Sequence, residues 1–296
     1  MKNEPKVYIV ILNYNGLEDT LECLGSLCDL DYKNYSIIVC DNASINDPEF
    51  EINQWKLKHN KQEVHYIQTG INLGFAGGNN VGLRYAMAKK DFEYAWVLNN
   101  DTVVRCDALS NLVSTMQQNK SIGICGSKLI YYFDKSNVQG YGGKYNSYLG
   151  FPTVIRNIED IDSIDYPIGA SMFISKSFLT DVGLMCEDYF LYFEELDWSL
   201  RAKKKGYSIS CAVDSVVYHK EGRSIGSHSN LKKKSNFADY YLQRNKIIIT
   251  KKFYSKKMPT LIMGMLVGVV RRILLGEYKK AYQQLKIMLY GVIEKN

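Results

Sequence analysis

The run Trp96–Thr102 ends an apolar stretch in Asn99, Asn100 and Asp101. Parallel strands read as apolar runs, and in open α/β sheets ligands sit beyond the strands' carboxyl ends. A carboxylate there can hold Mg2+ or Mn2+ against a phosphate, because these hard cations combine one or two carboxylates with phosphate oxygens. Asn100 could add only an amide oxygen. The competing reading of Asp101 is an Asx turn that caps the next helix. Asp41, followed by Asn42 and Ser44, poses similar alternatives: an acceptor for a base N–H or a ribose hydroxyl, or a turn. Between them lies Asn72–Asn80, with Gly74, Gly77 and Gly78 where backbone must approach a ligand. Its amides and the side chains of Asn72, Asn79 and Asn80 can meet a diphosphate at a helix N-terminus.

Further along, Glu187, Asp188, Glu194, Glu195 and Asp197 crowd into eleven residues, interleaved with aromatics that include Tyr192 and followed by Trp198. Burial raises a carboxylate pKa and suits it to general-base work. Aromatic rings suit the faces of a sugar or another acceptor. A helix N-terminus, which favours carboxylates, explains the same cluster. His219 closes the run Ser215–Tyr218 and precedes Lys220–Ser224; it is a structural histidine or a contact to metal or phosphate.

These groups need elements to bring them together. Val7–Leu12, Ile37–Cys40, Val64–Ile67 and Tyr94–Leu98 read as buried strands. Leu17, Leu21, Leu24 and Cys28 form a helical stripe. Gly74–Lys90 reads as a glycine-rich turn feeding a helix with Val81, Tyr85 and Ala88 on one face. Alternation of strand and helix implies right-handed crossovers and a parallel sheet, so Asn13, Asp41 and Asn99–Asp101 converge on one edge. The first turn, Asn13–Gly16, has neither a G-x-G-x-x-G nor a P-loop pattern, which argues against both of those phosphate sites. Beyond residue 105 the pattern predicts a helix at Ala108–Gln118 and a strand at Gly169–Ile174. It also predicts a helix ending at Gly206, a strand at Ile209–Tyr218 and helix from about Asn236. Tyr131–Phe151 reads as hairpins or a mobile loop, with Asp134–Asn137 as a turn.

The chain has 296 residues, 46% hydrophobic and 23% charged, which suits one large α/β domain with an appendage or two smaller domains. Seven cysteines, an odd number without a C-x-x-C pair, fit a reducing cytosol. The first apolar run is too short for a secretory h-region and lacks a small-residue cleavage site. The net charge of +6 is unevenly spread: residues 201–296 hold 21 Lys+Arg against 5 Asp+Glu, and residues 1–200 hold 16 against 26. A basic tail suits an anionic partner, either membrane phospholipid or nucleic acid, or is a solvated helical face. Leu261–Val270 is uncharged but too short to span a bilayer, which needs about 20 apolar residues. Flanked by Lys251, Lys252, Lys256, Lys257, Lys279 and Lys280, it fits an interfacial helix pair on an anionic membrane; a buried helical hairpin or an oligomer contact is the alternative.

Taken in order, Val10–Gly16, Val39–Ser44, Asn72–Asn80, Leu98–Thr102, Gly169–Met172, Tyr192–Asp197, Gly206–Tyr207 and His219 with Gly222 and Ser224 resemble a family 2 inverting glycosyltransferase of the GT-A fold. The resemblance is to the rhamnosyltransferase branch of bacterial polysaccharide synthesis and covers roughly residues 7–225. It implies a Rossmann-like, mainly parallel mixed α/β sheet flanked by helices. The glycosyltransferase domain would occupy 1–230, with a nucleotide-sugar half to about 105 and an acceptor half from 106. A basic amphipathic helical tail would follow at 231–296.

By resemblance, Asn13, Asn15, Asp41, Asn42, Asn72, Gly74, Asn79, Asn80 and Asn100 would bind the nucleotide sugar. Asp101, the last acid of the metal motif, would hold Mg2+ or Mn2+ with His219; Asn99 and Asn100 stand where many relatives carry aspartates. Glu194 and Glu195 replace the family's usual Glu-Asp pair, with Glu195 in the base's place. Tyr192, Asp197 and Trp198 would meet the acceptor. The implied reaction moves a sugar, from dTDP-rhamnose in preference to a UDP-hexose, onto a glycan or lipid-linked oligosaccharide at the inner face of the membrane. Homo-oligomers fit this picture. A nucleic-acid partner does not, for want of any recognition motif. A sugar-phosphate nucleotidyltransferase and a degenerate, non-catalytic sugar-binding relative are the alternatives.

Overall fold

The computed structural model describes residues 4–61, 63–220 and 235–290. Gly222 and Ser224, and the expected boundary at 230, lie outside them. The strands are β1 (Val7–Asn13), β2 (Tyr35–Asp41), β3 (Val64–Gln68), β4 (Tyr94–Asn99), β5 (Thr102–Val104), β6 (Ile122–Tyr131), β7 (Asp134–Gly140), β8 (Gly142–Asn146), β9 (Phe151–Ile155), β10 (Ser171–Ser175) and β11 (Ser208–His219). The helices are α1 (Leu17–Cys28), α2 (Glu49–Lys58), α3 (Gly74–Lys89), α4 (Ala108–Gln118), α5 (Lys176–Val182), α6 (Glu194–Lys204), α7 (Asn236–Phe253), α8 (Met258–Leu274) and α9 (Tyr278–Tyr290).

The main sheet runs β3-β2-β1-β4-β10-β6-β11-β5, with β7 paired to β6. Its first four strands are parallel, as the strand–helix alternation predicts. β10 then inserts antiparallel to both β4 and β6, and β11 runs parallel to β6 and antiparallel to β5. Alternate side chains of the central strands feed two cores. Val7, Ile9 and Ile11 pack with Leu24, Leu27, Leu109 and Leu112 of α1 and α4. Tyr8 and Val10 pack on the opposite face with Leu83, Phe178 and Trp198 of α3, α5 and α6. At about 25 cal/mol per Å² of buried apolar area, these two layers are the main stabilising term.

Two expectations change. Asp134–Asn137 is not a turn: it is the start of β7, and the chain reverses at Tyr132–Phe133. Of Val81, Tyr85 and Ala88 on α3, the first two are partly buried against the second core and Ala88 is exposed; the fully buried face is Ala76, Gly78, Gly82, Leu83 and Ala86. Glycines carry that face because the helix lies directly on β1. A Cβ at Gly78 would come within 2.3 Å of Leu12. The apolar residues Val81 and Tyr85 therefore mark only the rim of the contact.

The tail docks on the body through α7, whose Ile249 joins Tyr145, Tyr166, Tyr189, Phe193 and Leu196 in a third core. α8 and α9 pack on α7 through Ile247, Leu261, Met265 and Ile287. No helix among the described residues is long and apolar enough to cross a membrane.

Candidate functional site

Strand register sets the site. Asn13 lies opposite Asp41, and Leu12 opposite Asn99, so three carboxyl ends align on one edge. Asn13, fully buried, donates from Nδ2 to Asp41 Oδ1 at 2.7 Å and accepts at Oδ1 from Thr20 Oγ1 at 2.9 Å. Asp41 also accepts from Ser44 N and Oγ and from Gln68 Nε2. A carboxylate has about four acceptor sites, and four donors fill them here. Asn15 ties the first two loops: its N donates to Ser44 Oγ and its Oδ1 accepts from Ile45 N. Asn100 Nδ2 donates to Gly16 O and Thr20 Oγ1 at the start of α1.

The second turn is built likewise. Asn42 Oδ1 accepts from Leu73 N, and Asn42 Nδ2 donates to Asn72 Oδ1 and Gly74 O. Gly74 has φ +72°, and a Cβ there would lie 2.3 Å from Phe190 O. Only glycine fits that conformation and that approach.

Asp101 is 6% exposed. The short β5 pairs with the end of β11, placing His219 opposite Thr102 and its Nε2 3.3 Å from Asp101 Oδ1. His219 Nδ1 lies 2.9 Å from Gln139 Oε1. With that oxygen accepting, Nδ1 carries the hydrogen, and Nε2 is left to hold a proton or a cation against Asp101. Burial opposes ionisation of Asp101, but the hydrogen bond and charge of His219 outweigh it, and the carboxyl titrates below its usual range. Two ligands from the chain, one hard oxygen and one imidazole, fit a divalent cation that takes its remaining ligands from phosphate and water. No group of three or more His, Cys, Asp or Glu able to hold a metal occurs among the described residues.

Glu194 and Glu195 open α6, where the helix dipole favours acids. Each has a buried Oε2 without a hydrogen-bond partner among the described residues. Burial, then the charge of Glu195, pushes the Glu194 carboxyl well above the usual range. Burial pushes Glu195 up to about 7. A carboxyl that titrates near neutrality is suited to take a proton at working pH.

Other predicted contacts are turned inward. Asp197 is fully buried and accepts from Arg201, Lys252 and Tyr189. Trp198 is fully buried, donating to Gly183 O and packing on Phe178. Helical period explains both: positions 194, 197, 198 and 202 share the face of α6 that meets the body. Neither can touch an acceptor from there. Tyr192 is half-buried at the mouth of α6. Asn80 braces Met185 and Glu187, and Asn79 donates to Phe75 O, so neither faces the strand-end edge through its amide nitrogen. Gln139, Thr20 and Gln68 complete the site without having been predicted. Gln139 falls in the Tyr- and Gly-rich stretch, where no periodicity marks a strand.

Residues 8–183 match the family model Glycosyl transferase family 2. The low-salt glycan biosynthesis hexosyltransferase Agl10 of Haloferax volcanii is 25% identical over 249 residues, 81% of this chain and 75% of its own. The dTDP-rhamnosyl transferase RfbF of Shigella flexneri is 24% identical over 260 residues, 83% of this chain and 80% of its own. The crystal structure of GalNAc-T7 with UDP, GalNAc and Mn2+ superposes with a TM-score of 0.63 at 15% identity, over 83% of this chain and 51% of that one. At that identity the likeness establishes the fold, the GT-A arrangement of a sheet flanked by helices.

Proposed function

The chain belongs to glycosyl transferase family 2, and from that premise we propose that it is an inverting, metal-assisted transferase. It moves a sugar from a nucleoside-diphosphate sugar to a hydroxyl of a glycan or lipid-linked oligosaccharide. dTDP-rhamnose is the favoured donor and a UDP-hexose the second, since RfbF is named a dTDP-rhamnosyl transferase and Agl10 a hexosyltransferase. The observation that carries the reading is the meeting of Asp101 and His219, 3.3 Å apart, at the carboxyl end of β4.

Asp101 and His219 are the groups that would hold Mg2+ or Mn2+, which when bound supplies positive charge for the departing diphosphate. The N–H groups of Leu73, Gly74 and Phe75 are already taken by Asn42, Asn72 and Phe190, so the turn at Asn72–Gly74 shapes the loop and these amides are not free for the diphosphate. Asn13, Asn15, Asp41 and Asn100 act by fixing the strand-end loops around the nucleotide. Glu195 takes the proton of the acceptor hydroxyl as its oxygen bonds the anomeric carbon and the bond to the diphosphate breaks. Glu194 stays neutral beside it, for two adjacent buried carboxyls do not both ionise.

A titration of purified protein with dTDP-rhamnose, UDP-glucose, UDP-galactose, UDP-N-acetylglucosamine and GDP-mannose, with and without Mn2+, tests this. One donor is expected to bind with metal dependence and to be hydrolysed slowly, and Asp101→Ala removes the metal dependence. Donor binding without any turnover would support a degenerate relative instead.

The tail is read as a peripheral membrane contact. Met263, Val267, Val270 and Leu274, spaced along one stripe of α8, are 56–81% exposed. In α7–α9 both acids are already paired, Asp239 with Arg272 and Glu277 with Lys280, and the lysines are in excess. That combination fits an anionic lipid surface. Co-sedimentation with phosphatidylglycerol vesicles but not with phosphatidylcholine vesicles is expected; equal partition to both removes the electrostatic part.

A further inference from the structure

The segment that ends on Glu194 and Glu195 is held from α7, by a residue 53 to 56 positions downstream of the carbonyls it binds. Phe190, Tyr192 and Phe193 have φ of +61°, +68° and +75°. Left-handed conformations cost a non-glycine residue roughly 1–2 kcal/mol, and they persist only where the surroundings over-determine them. Here Asn245 of α7, fully buried, donates from Nδ2 to Tyr189 O at 3.0 Å, Leu191 O at 2.7 Å and Tyr192 O at 2.9 Å. Arg244 Nη1 donates to Asn245 Oδ1 at 2.9 Å and to Asp188 O at 2.8 Å. The guanidinium therefore fixes which end of the amide faces the coil. From the other side Phe75 N donates to Phe190 O at 2.6 Å. Lys252, two turns further along α7, reaches Asp197 within the first turn of α6 at 2.5 Å.

We propose that Asn245, oriented by Arg244, is a positioning residue for the Glu194–Glu195 carboxyls, so that the tail helix is a working part of the transferase site. The inference rests on the reading of Glu195 as the base. A primary amide donates two hydrogens and can share them among converging carbonyls; a carboxylate of the same shape donates none. Misplacing a reacting group by about 1 Å can cost on the order of 10²-fold in rate.

The test uses the full chain as wild type, Asn245→Asp, Asn245→Ser, Arg244→Gln and Glu195→Gln. Release of nucleoside diphosphate from the same five donors is followed with Mn2+ and water as acceptor, and folding is checked by circular dichroism. Asn245→Asp is expected to lower kcat by about 10²-fold with donor KM within about threefold. Arg244→Gln is expected to lose about tenfold, and both shift the acid limb of the kcat–pH profile. A merely structural role would reduce the folded fraction without moving that limb. If Asn245→Asp does not fold, Asn245→Ser and Arg244→Gln decide. Wild-type kcat and pH profile in the folded variants, beside an inactive Glu195→Gln, overturn the proposal. Full activity of Glu195→Gln overturns the base assignment instead.

Discussion

At the strand ends, Asn13, Asp41, Ser44 and Gln68 satisfy one another, whereas Glu194 and Glu195 each keep a buried oxygen with no partner among the described residues. The strand-end loops also hold positive φ, at Asn15 and Ala43, but brace those residues with their strand-end neighbours Ser44 and Gln68. The carboxylate loop runs through three left-handed residues and is braced from α7. A donor pocket gains from being finished before the ligand arrives. A base gains from a destabilised charge, because that is what places its pKa near working pH.

The sharpest way to break this contrast is Glu195→Gln. Proton removal by a positioned base is worth about 10²–10⁴-fold, so transfer should fall by that factor while isothermal titration finds donor affinity unchanged. Loss of donor binding to the same degree would make the loop structural. Next comes Gln139→Leu, which removes the partner of His219 Nδ1 without touching Asp101. Partners of metal ligands typically govern 10–100-fold in affinity, and a Mn2+ titration of donor binding should weaken by about that much.

pH separates the two regions by sign. As the proposed base, Glu195 must be ionised to act, so kcat should fall about tenfold per unit below pH 7. Stability runs the other way. Glu194 and Glu195 are raised in the folded chain, so their stabilisation is present below the ordinary carboxylate range and is lost as pH rises toward 7. Asp101 is lowered, so its stabilisation is present above that range and disappears only in stronger acid. Urea midpoints measured from pH 4 to 8 should decline more steeply in the wild type than in Glu195→Gln. The smallest effect is expected from Ser44→Ala, which strips one hydroxyl from the Asp41 network. It should cost about 0.5–1.5 kcal/mol in urea denaturation and leave the kcat–pH profile unmoved.

Legibility followed the same division. β1, β2, β3, β4 and α4 lie where apolar runs and stripes predict them, because each is decided by its own residues. The strand-end cluster was legible for the same reason: parallel register converts three sequence-local motifs into one edge. What was not legible came from distant partners. Trp198 and Asp197 look like acceptor contacts until the face of α6 is known. Gln139 carries no mark of its pairing with a histidine 80 residues away. Nothing near Tyr192 announces that its carbonyl is held by Asn245.

The placement of β10 has a consequence for synthesis. Until residues 171–175 emerge from the ribosome, β4 has no partner on its β10 side, and its apolar row Ala95–Leu98 is an open sheet edge. Elongation at about 5–20 residues per second leaves that edge bare for several seconds after β4 appears. Unpaired hydrophobic edges recruit other chains. The nascent chain is therefore most vulnerable to aggregation between β4 and β10, and a fragment ending near residue 105 would keep that liability permanently.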